Sequence, residues 1–224
     1  MTAKADLIRS ERGYVSVPAQ EFFRDLPGRR EFMRLHLPPP PARVLDVGCA
    51  TGYIAEALIA QGYRVTGLEL NSRMVEEARA RGLDVIQHDL EEPLPLPDGS
   101  FEAVHACEVI EHIYDTGGLL RELRRVLVPG GVLILCTPNL NSLRHRVMVP
   151  LGKPAPMWGA YVGDHHGDHI RVLNKAKTFQ LLRHAGFRPE AVRGSQIGRL
   201  QPVMWHLPTF AHMLLVKASR GDDE

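Results

Sequence analysis

Five short apolar runs, most of them followed by a stretch with helical spacing, limit what this chain can become more than any other feature. They are RVLDV (43 to 47), RVTGLEL (64 to 70), LDVIQHD (83 to 89), FEAVHAC (101 to 107) and VLILCT (132 to 137). Runs that are apolar on both faces suit parallel strands covered by helices on either side. The segments between them carry the helix signals. Ile54, Leu58 and Ile59 form one stripe that stops at Gly62, and Asn71 can cap a helix running to Arg81 before Gly82. Leu119, Leu120, Leu123, Val126 and Leu127 make a third stripe, ended by Pro129-Gly130-Gly131. After an irregular stretch over 138–173, Asn174 can cap a helix to His184, and FRPEAVRGS and HMLLVKAS (212 to 219) read as a closing, hairpin-like pair of strands. The order is that of a doubly wound α/β sheet, whose ligand is expected at the carboxyl ends of the strands.

Pro38 to Pro41 divide a helical opening segment, 1–41, from the domain proper, 42–224. The 224 residues carry 27 Lys+Arg against 26 Asp+Glu, so no bulk positive field favours nucleic acid. Cys49, Cys107 and Cys136 show no Cys-x-x-Cys spacing, which leaves a disulfide framework without support. No signal-peptide core follows the first basic residues and no run of 18 apolar residues occurs, so the expectation is a cytoplasmic protein without a membrane span.

The loop Gly48-Cys49-Ala50-Thr51-Gly52 leaves the first strand and opens the first helix, where backbone must approach a ligand closely. A dinucleotide fingerprint asks for glycines where Ala50 and Tyr53 stand, and Asp46 just before the loop would repel a pyrophosphate. The same carboxylate would attract an ammonium or a sulfonium. Glu69 ends the second strand, where a carboxylate can accept two hydrogen bonds from ribose hydroxyls.

VLDVGCATG, GLEL, HDLEEPLPLPDGSFEAV and LRRVLVPGGVLIL, in that order, resemble the successive motifs of class I S-adenosylmethionine-dependent methyltransferases. The resemblance implies a Rossmann-like, seven-stranded, mostly parallel sheet with an antiparallel last strand and helices on both faces. It assigns Asp46 and the Gly48, Cys49, Ala50, Thr51, Gly52 loop to the methionine part of S-adenosylmethionine and Glu69 to its ribose. Leu70 would pack on the adenine, Asp89 would accept from the adenine amine with the Leu90 amide nearby, and Cys107 would line the methionine end. S-adenosylhomocysteine is the implied product. Ala50 stands where a glycine is commoner, and Glu102 where an aspartate is usual.

Glu108-Val109-Ile110-Glu111-His112 follows the fourth strand, on the side where a methyl acceptor must face the cofactor. On a helical turn, offsets of three and four bring Glu108 beside Glu111 and His112. Such a trio can hold a divalent metal, His112 can serve as a general base, or the turn can simply satisfy its own polar groups. The pentapeptide resembles the Glu-x-x-Glu-His of ubiquinone-biosynthesis O-methyltransferases and of small-RNA 3′-end 2′-O-methyltransferases. That resemblance implies Glu108, Glu111 and His112 as metal ligands with a further histidine from downstream, His169 ahead of His165 and His166.

The expected activity is methyl transfer to a small-molecule acceptor, at a hydroxyl oxygen, by in-line displacement. The alternatives are methylation of an RNA terminus and a non-catalytic nucleoside-binding module. Acceptor choice should come from the opening segment and from a covering insertion over 138–173, with Met148, Met157, Trp158 and Tyr161.

Overall fold

A computed structural model of the chain describes residues 28–153, 169–171, 173–195 and 199–221. Helix α1 (Arg29–His36) precedes β1 (Arg43–Val47), α2 (Tyr53–Ile59), β2 (Arg64–Glu69), α3 (Ser72–Ala80), β3 (Asp84–Gln87) and β4 (Phe101–Cys107). Then come α4 (Thr116–Val126), β5 (Leu127–Pro138), α5 (Leu143–Met148) with a 3-10 turn over Val149–Leu151, α6 (Lys175–His184), β6 (Phe187–Ser195), α7 (Gln201–His206) and β7 (Met213–Arg220). The seven strands form one sheet in the order β3-β2-β1-β4-β5-β7-β6, all parallel except β7, which runs against both neighbours. β1 lies between β2 and β4, so the chain winds outward in both directions from it, and the loop after β1 falls at this switch point.

Strand alternation sorts the apolar side chains into two cores. Leu45, Val47, Val104, Ala106, Leu133 and Leu135 pack with α4 and α6 on one face. Val44, Ala103, Cys107, Ile134 and Cys136 pack with α1, α2 and α3 on the other. Asp46 and His105 share parity with this second set, and so lie beneath α1.

Two helix starts follow the caps read from the sequence, Asn71 and Asn174, and Asp115 adds a third that was not foreseen. Asn71, Asp115 and Asn174 each accept a backbone N–H through the side chain at the head of α3, α4 and α6. Three features differ from the expectation. β5 begins at Leu127 and continues through Pro129-Gly130-Gly131, because Leu127 pairs with Phe101 before a register shift. The 138–173 stretch holds α5, capped by Ser142, and α7 was not foreseen between the last two strands. The 1–41 segment contributes α1, whose Phe32 is fully buried in the second core. Residues 1–27 and the insertion residues Met157, Trp158, Tyr161, His165 and His166 lie outside the described residues. Among the described residues no helix is long and apolar enough to cross a membrane.

Candidate functional site

The loop after β1 folds as the sequence demands. Gly48 and Gly52 have φ of 65° and 78°, and Ala50 adopts a left-handed φ of 47°. A side chain at Gly48 would come within 2.8 Å of Val109 Cγ2, so the loop packs directly against the turn after β4. Cys49 points inward, its sulfur so close over Gly67 of β2 that a Cβ there would lie 2.6 Å from it. Burial, with Asp46 and Glu69 nearby, raises the Cys49 thiol and keeps it protonated.

Glu69 ties the site together. Its Oε1 accepts from the Leu70 and Asn71 amides, each at 2.9 Å, and its Oε2 accepts from the Ala50 amide at 3.0 Å. Burial raises its pKa while these backbone donors oppose the rise. Oε1 thereby accepts two amides, and Oε2 retains one lone pair. Gly48, Gly52 and this remaining acceptor fit a nucleoside cofactor at the carboxyl edge. Asp89 accepts from the Glu91 amide at 3.0 Å, and Leu70, Asp89 and Leu90 are half-buried on the same edge. Thr51 is half-buried as well, at the turn that leads into α2.

Asp46 has a protein partner. Its Oδ1 lies 2.7 Å from His105 Nδ1, both side chains are buried, and the residues face each other in register on β1 and β4. Burial alone would lower the His105 pKa, but negative charge at Cys107 and Asp46 outweighs it and raises it to about 10. Arg29 of α1, equally buried, reaches the same cluster and meets Cys107. Sequence reasoning passed over both cations. The signals were present: Arg29, Phe32, Met33 and His36 share one helix face by spacing, and His105 has the same strand parity as Cys107.

The segment 108–113 is a series of turns rather than a helix, because Glu108 takes a left-handed φ of 56° at the end of β4. Glu108 is not among the ligand atoms that cluster here, although its charge still reaches Glu111. Glu108 Oε1 accepts from Cys136 Sγ at 3.5 Å, and burial, then charge at Cys107, raise its pKa to about 8. Glu111, His112 and His169 do come together, offering ligand atoms within 4.8 Å of one another, with the two imidazole rings 4.8 Å apart. His169 is held there by its neighbours: the Ile170 amide donates to Glu111 O at 3.0 Å and Arg171 Nη2 to Tyr114 O at 2.7 Å. Glu111 Oε2 accepts from Thr137 Oγ1 at 3.3 Å, whereas its buried Oε1 has no hydrogen-bond partner. Burial, reinforced by Glu108, raises the Glu111 pKa well above the carboxylate range. An orphaned carboxylate oxygen beside two imidazoles fits a divalent cation by donor type.

Residues 45–135 match the family described as "Methyltransferase domain". The chain is 37% identical over 152 residues to a protein of Mycolicibacterium smegmatis named as a probable S-adenosylmethionine-dependent methyltransferase, a match covering 67% of this chain and 54% of that one, so it spans about half that relative's length. It is 33% identical over 174 residues to a ubiquinone biosynthesis O-methyltransferase of Xanthomonas axonopodis, covering 75% and 72% of the two chains. A solved structure from Burkholderia thailandensis, 1,6-didemethyltoxoflavin-N1-methyltransferase, superposes with a TM-score of 0.67 at 18% identity over 99% of this chain and 92% of the other, a likeness of fold. With the sheet order, the glycine loop and the Glu69 anchor, these matches make the chain a member of the class I S-adenosylmethionine-dependent methyltransferases.

Proposed function

We propose that the protein methylates a hydroxyl oxygen of a small-molecule acceptor, with Glu111, His112 and His169 handling that hydroxyl. The observation that carries this reading is the convergence of these three side chains at the turn after β4, on the sheet edge that also bears the glycine loop. The relatives named as O-methyltransferases agree with it.

S-adenosylmethionine supplies a methyl group already activated on a sulfonium, so the protein's work is alignment and proton handling. The Gly48–Gly52 backbone and Glu69 Oε2 hold the nucleoside, with Leu70, Asp89 and Leu90 beside its base. Arg29 brings positive charge next to Cys107 at the methionine end, and Asp46 acts there through His105. The acceptor oxygen attacks the methyl carbon from the side opposite sulfur, and the C–S electron pair returns to sulfur. With no metal bound, His112 takes the hydroxyl proton, a contribution of roughly 10²- to 10⁴-fold by general-base precedent, and in the metal-bound form the proton would leave to solvent instead. A divalent cation held by Glu111, His112 and His169 would acidify the hydroxyl.

Incubation with methyl-labelled S-adenosylmethionine and matched phenol, alcohol, amine and activated-carbon acceptors tests the reading. Label on oxygen, lost in His112→Ala, is the expected result, and label confined to nitrogen or carbon acceptors overturns it.

A further inference from the structure

We infer that Cys107 and Cys136 form a peroxide-sensitive thiol pair whose oxidation to a disulfide weakens cofactor binding. The two residues stand directly opposite each other on β4 and β5, in register on neighbouring parallel strands. Strands of a sheet lie about 4.8 Å apart, inside the Cα separation that a disulfide spans. Both side chains belong to the second core, and the Cys136 thiol is hydrogen-bonded to Cys107 Sγ. The pair is therefore placed to bond without rearranging the sheet.

The surroundings give the two sulfurs different roles. Burial opposes a charge on Cys107, but the hydrogen bond from Cys136, His105 on the same strand face and Arg29 of α1 outweigh it and hold that thiol well below its ordinary range. Cys136 is held the other way, because burial, then its contact with Cys107, keeps its thiol protonated. Cys107 also keeps 9% of its surface open at the carboxyl edge, whereas Cys136 is fully enclosed, so an oxidant meets the thiolate first. The Cys107 thiolate attacks one oxygen of hydrogen peroxide, the O–O bond breaks, the sulfur is oxidised to sulfenic acid, and the hydroxide released takes a proton from solvent. Cys136 then passes its proton to Glu108, whose Oε1 already accepts from Cys136 Sγ at 3.5 Å, and attacks the Cys107 sulfur. The S–S bond forms as the S–O bond breaks, and the departing hydroxide recovers that proton and leaves as water.

The disulfide removes the negative charge that His105 and Arg29 face. It also ties down the strand end that leads into Val109, the side chain against which Gly48 of the glycine loop packs. The loss of affinity rests on the reading of this edge as the cofactor site; the disulfide itself does not.

The test is treatment of the full chain with a modest excess of hydrogen peroxide, then intact-mass measurement and non-reducing peptide mapping. Loss of two hydrogen atoms, a cross-link joining Cys107 to Cys136, a free Cys49 and reversal by dithiothreitol are expected. Cys136→Ser should stop at a sulfenic acid on Cys107 that dimedone traps, and Cys107→Ser should give neither product. Circular dichroism reports whether each variant is folded, and the mass result on the parent chain stands without them. Affinity for S-adenosylhomocysteine should fall at least about tenfold in the disulfide form and return on reduction. Thiols that stay free, a cross-link through Cys49 or between two chains, or a disulfide that leaves affinity unchanged overturns the inference. Reduced parent protein that does not bind S-adenosylhomocysteine would overturn the cofactor reading instead, with the mass result still deciding whether the pair oxidises.

Discussion

His105 Nδ1 and Asp46 Oδ1 meet at 2.7 Å inside the protein, on adjacent parallel strands, directly beneath the loop that leads to the cofactor. Removing one member of a buried charge pair strands the other, so His105→Asn should destabilise the fold by about 3 kcal/mol in urea unfolding. The pH dependence has a definite sign. A folded pKa of about 10 lies above the ordinary histidine value, so the pair's stabilisation is complete below about pH 6.5 and lost as pH rises through 10. Unfolding free energy should decline over that window in the parent chain, and the decline should be absent from His105→Asn. Asp46→Ala, which on the sequence alone would only remove a ligand contact, should cost stability too.

Glu69→Ala removes both the ribose acceptor and the tether on Ala50. With S-adenosylhomocysteine at about 100 times the parent Kd, the parent chain should gain about 2.7 kcal/mol and the variant close to nothing. The far-ultraviolet circular dichroism of the two should coincide. Ligand stabilisation that survives the substitution would remove Glu69 from the cofactor site.

His169→Ala should separate metal handling from cofactor binding. Elemental analysis after loading with Mg²⁺, Mn²⁺ or Zn²⁺ is expected to show bound metal in the parent and a drop of about tenfold or more in affinity for the variant. The melting shift with S-adenosylhomocysteine should not change. Activity indifferent to chelation, in a protein that retains no metal, would leave His112 acting as a simple base.

Gly67→Ala places a methyl group 2.6 Å from Cys49 Sγ, in the middle of a central strand. Overpacking of this kind should cost about 1–3 kcal/mol and displace the glycine loop. Both the midpoint of urea unfolding and the affinity for S-adenosylhomocysteine should fall. Adding Cys49→Ala should restore part of each, which a strand defect unrelated to the loop would not allow.

At the sheet edge, Glu190 of β6 gathers Lys217, Ser219 and Arg188, and these bonds pull its pKa down to about 2. Its stabilising contribution is present above the ordinary glutamate value and disappears as pH falls through 2. Glu190→Gln should lower stability by about 1 kcal/mol near neutrality, a figure discounted for partial exposure, and by progressively less as pH falls toward 2.

The doubly wound order was readable because apolar runs mark the strands and the capping residues Asn71 and Asn174 mark the heads of two of the helices between them. Asn71 and Asn174 did as their side chains suggest, and Glu69 fell where a strand-end acid should. What the sequence hid was direction and partnership. Spacing put Glu108 with Glu111 and His112 on the assumption of a helix, but a single left-handed residue sends the first carboxylate toward Cys136 instead. The same spacing argument had no means of pairing Asp46 with His105, 59 positions away, because that contact exists only once β1 and β4 are neighbours. β5 extends past a Pro-Gly-Gly sequence for a similar reason: pairing of Leu127 with Phe101 overrides the local preference to turn.

α1 gives the domain an unexpected seam. Although four prolines set it off from the first strand, Phe32 is completely enclosed by the second core and Arg29 is buried beside Asp46, His105 and Cys107. Cutting at the proline run would therefore not yield a smaller enzyme that merely lacks a cover. It would open an oily trench along the sheet and leave the acidic pocket beneath the glycine loop short of one of its counter-ions.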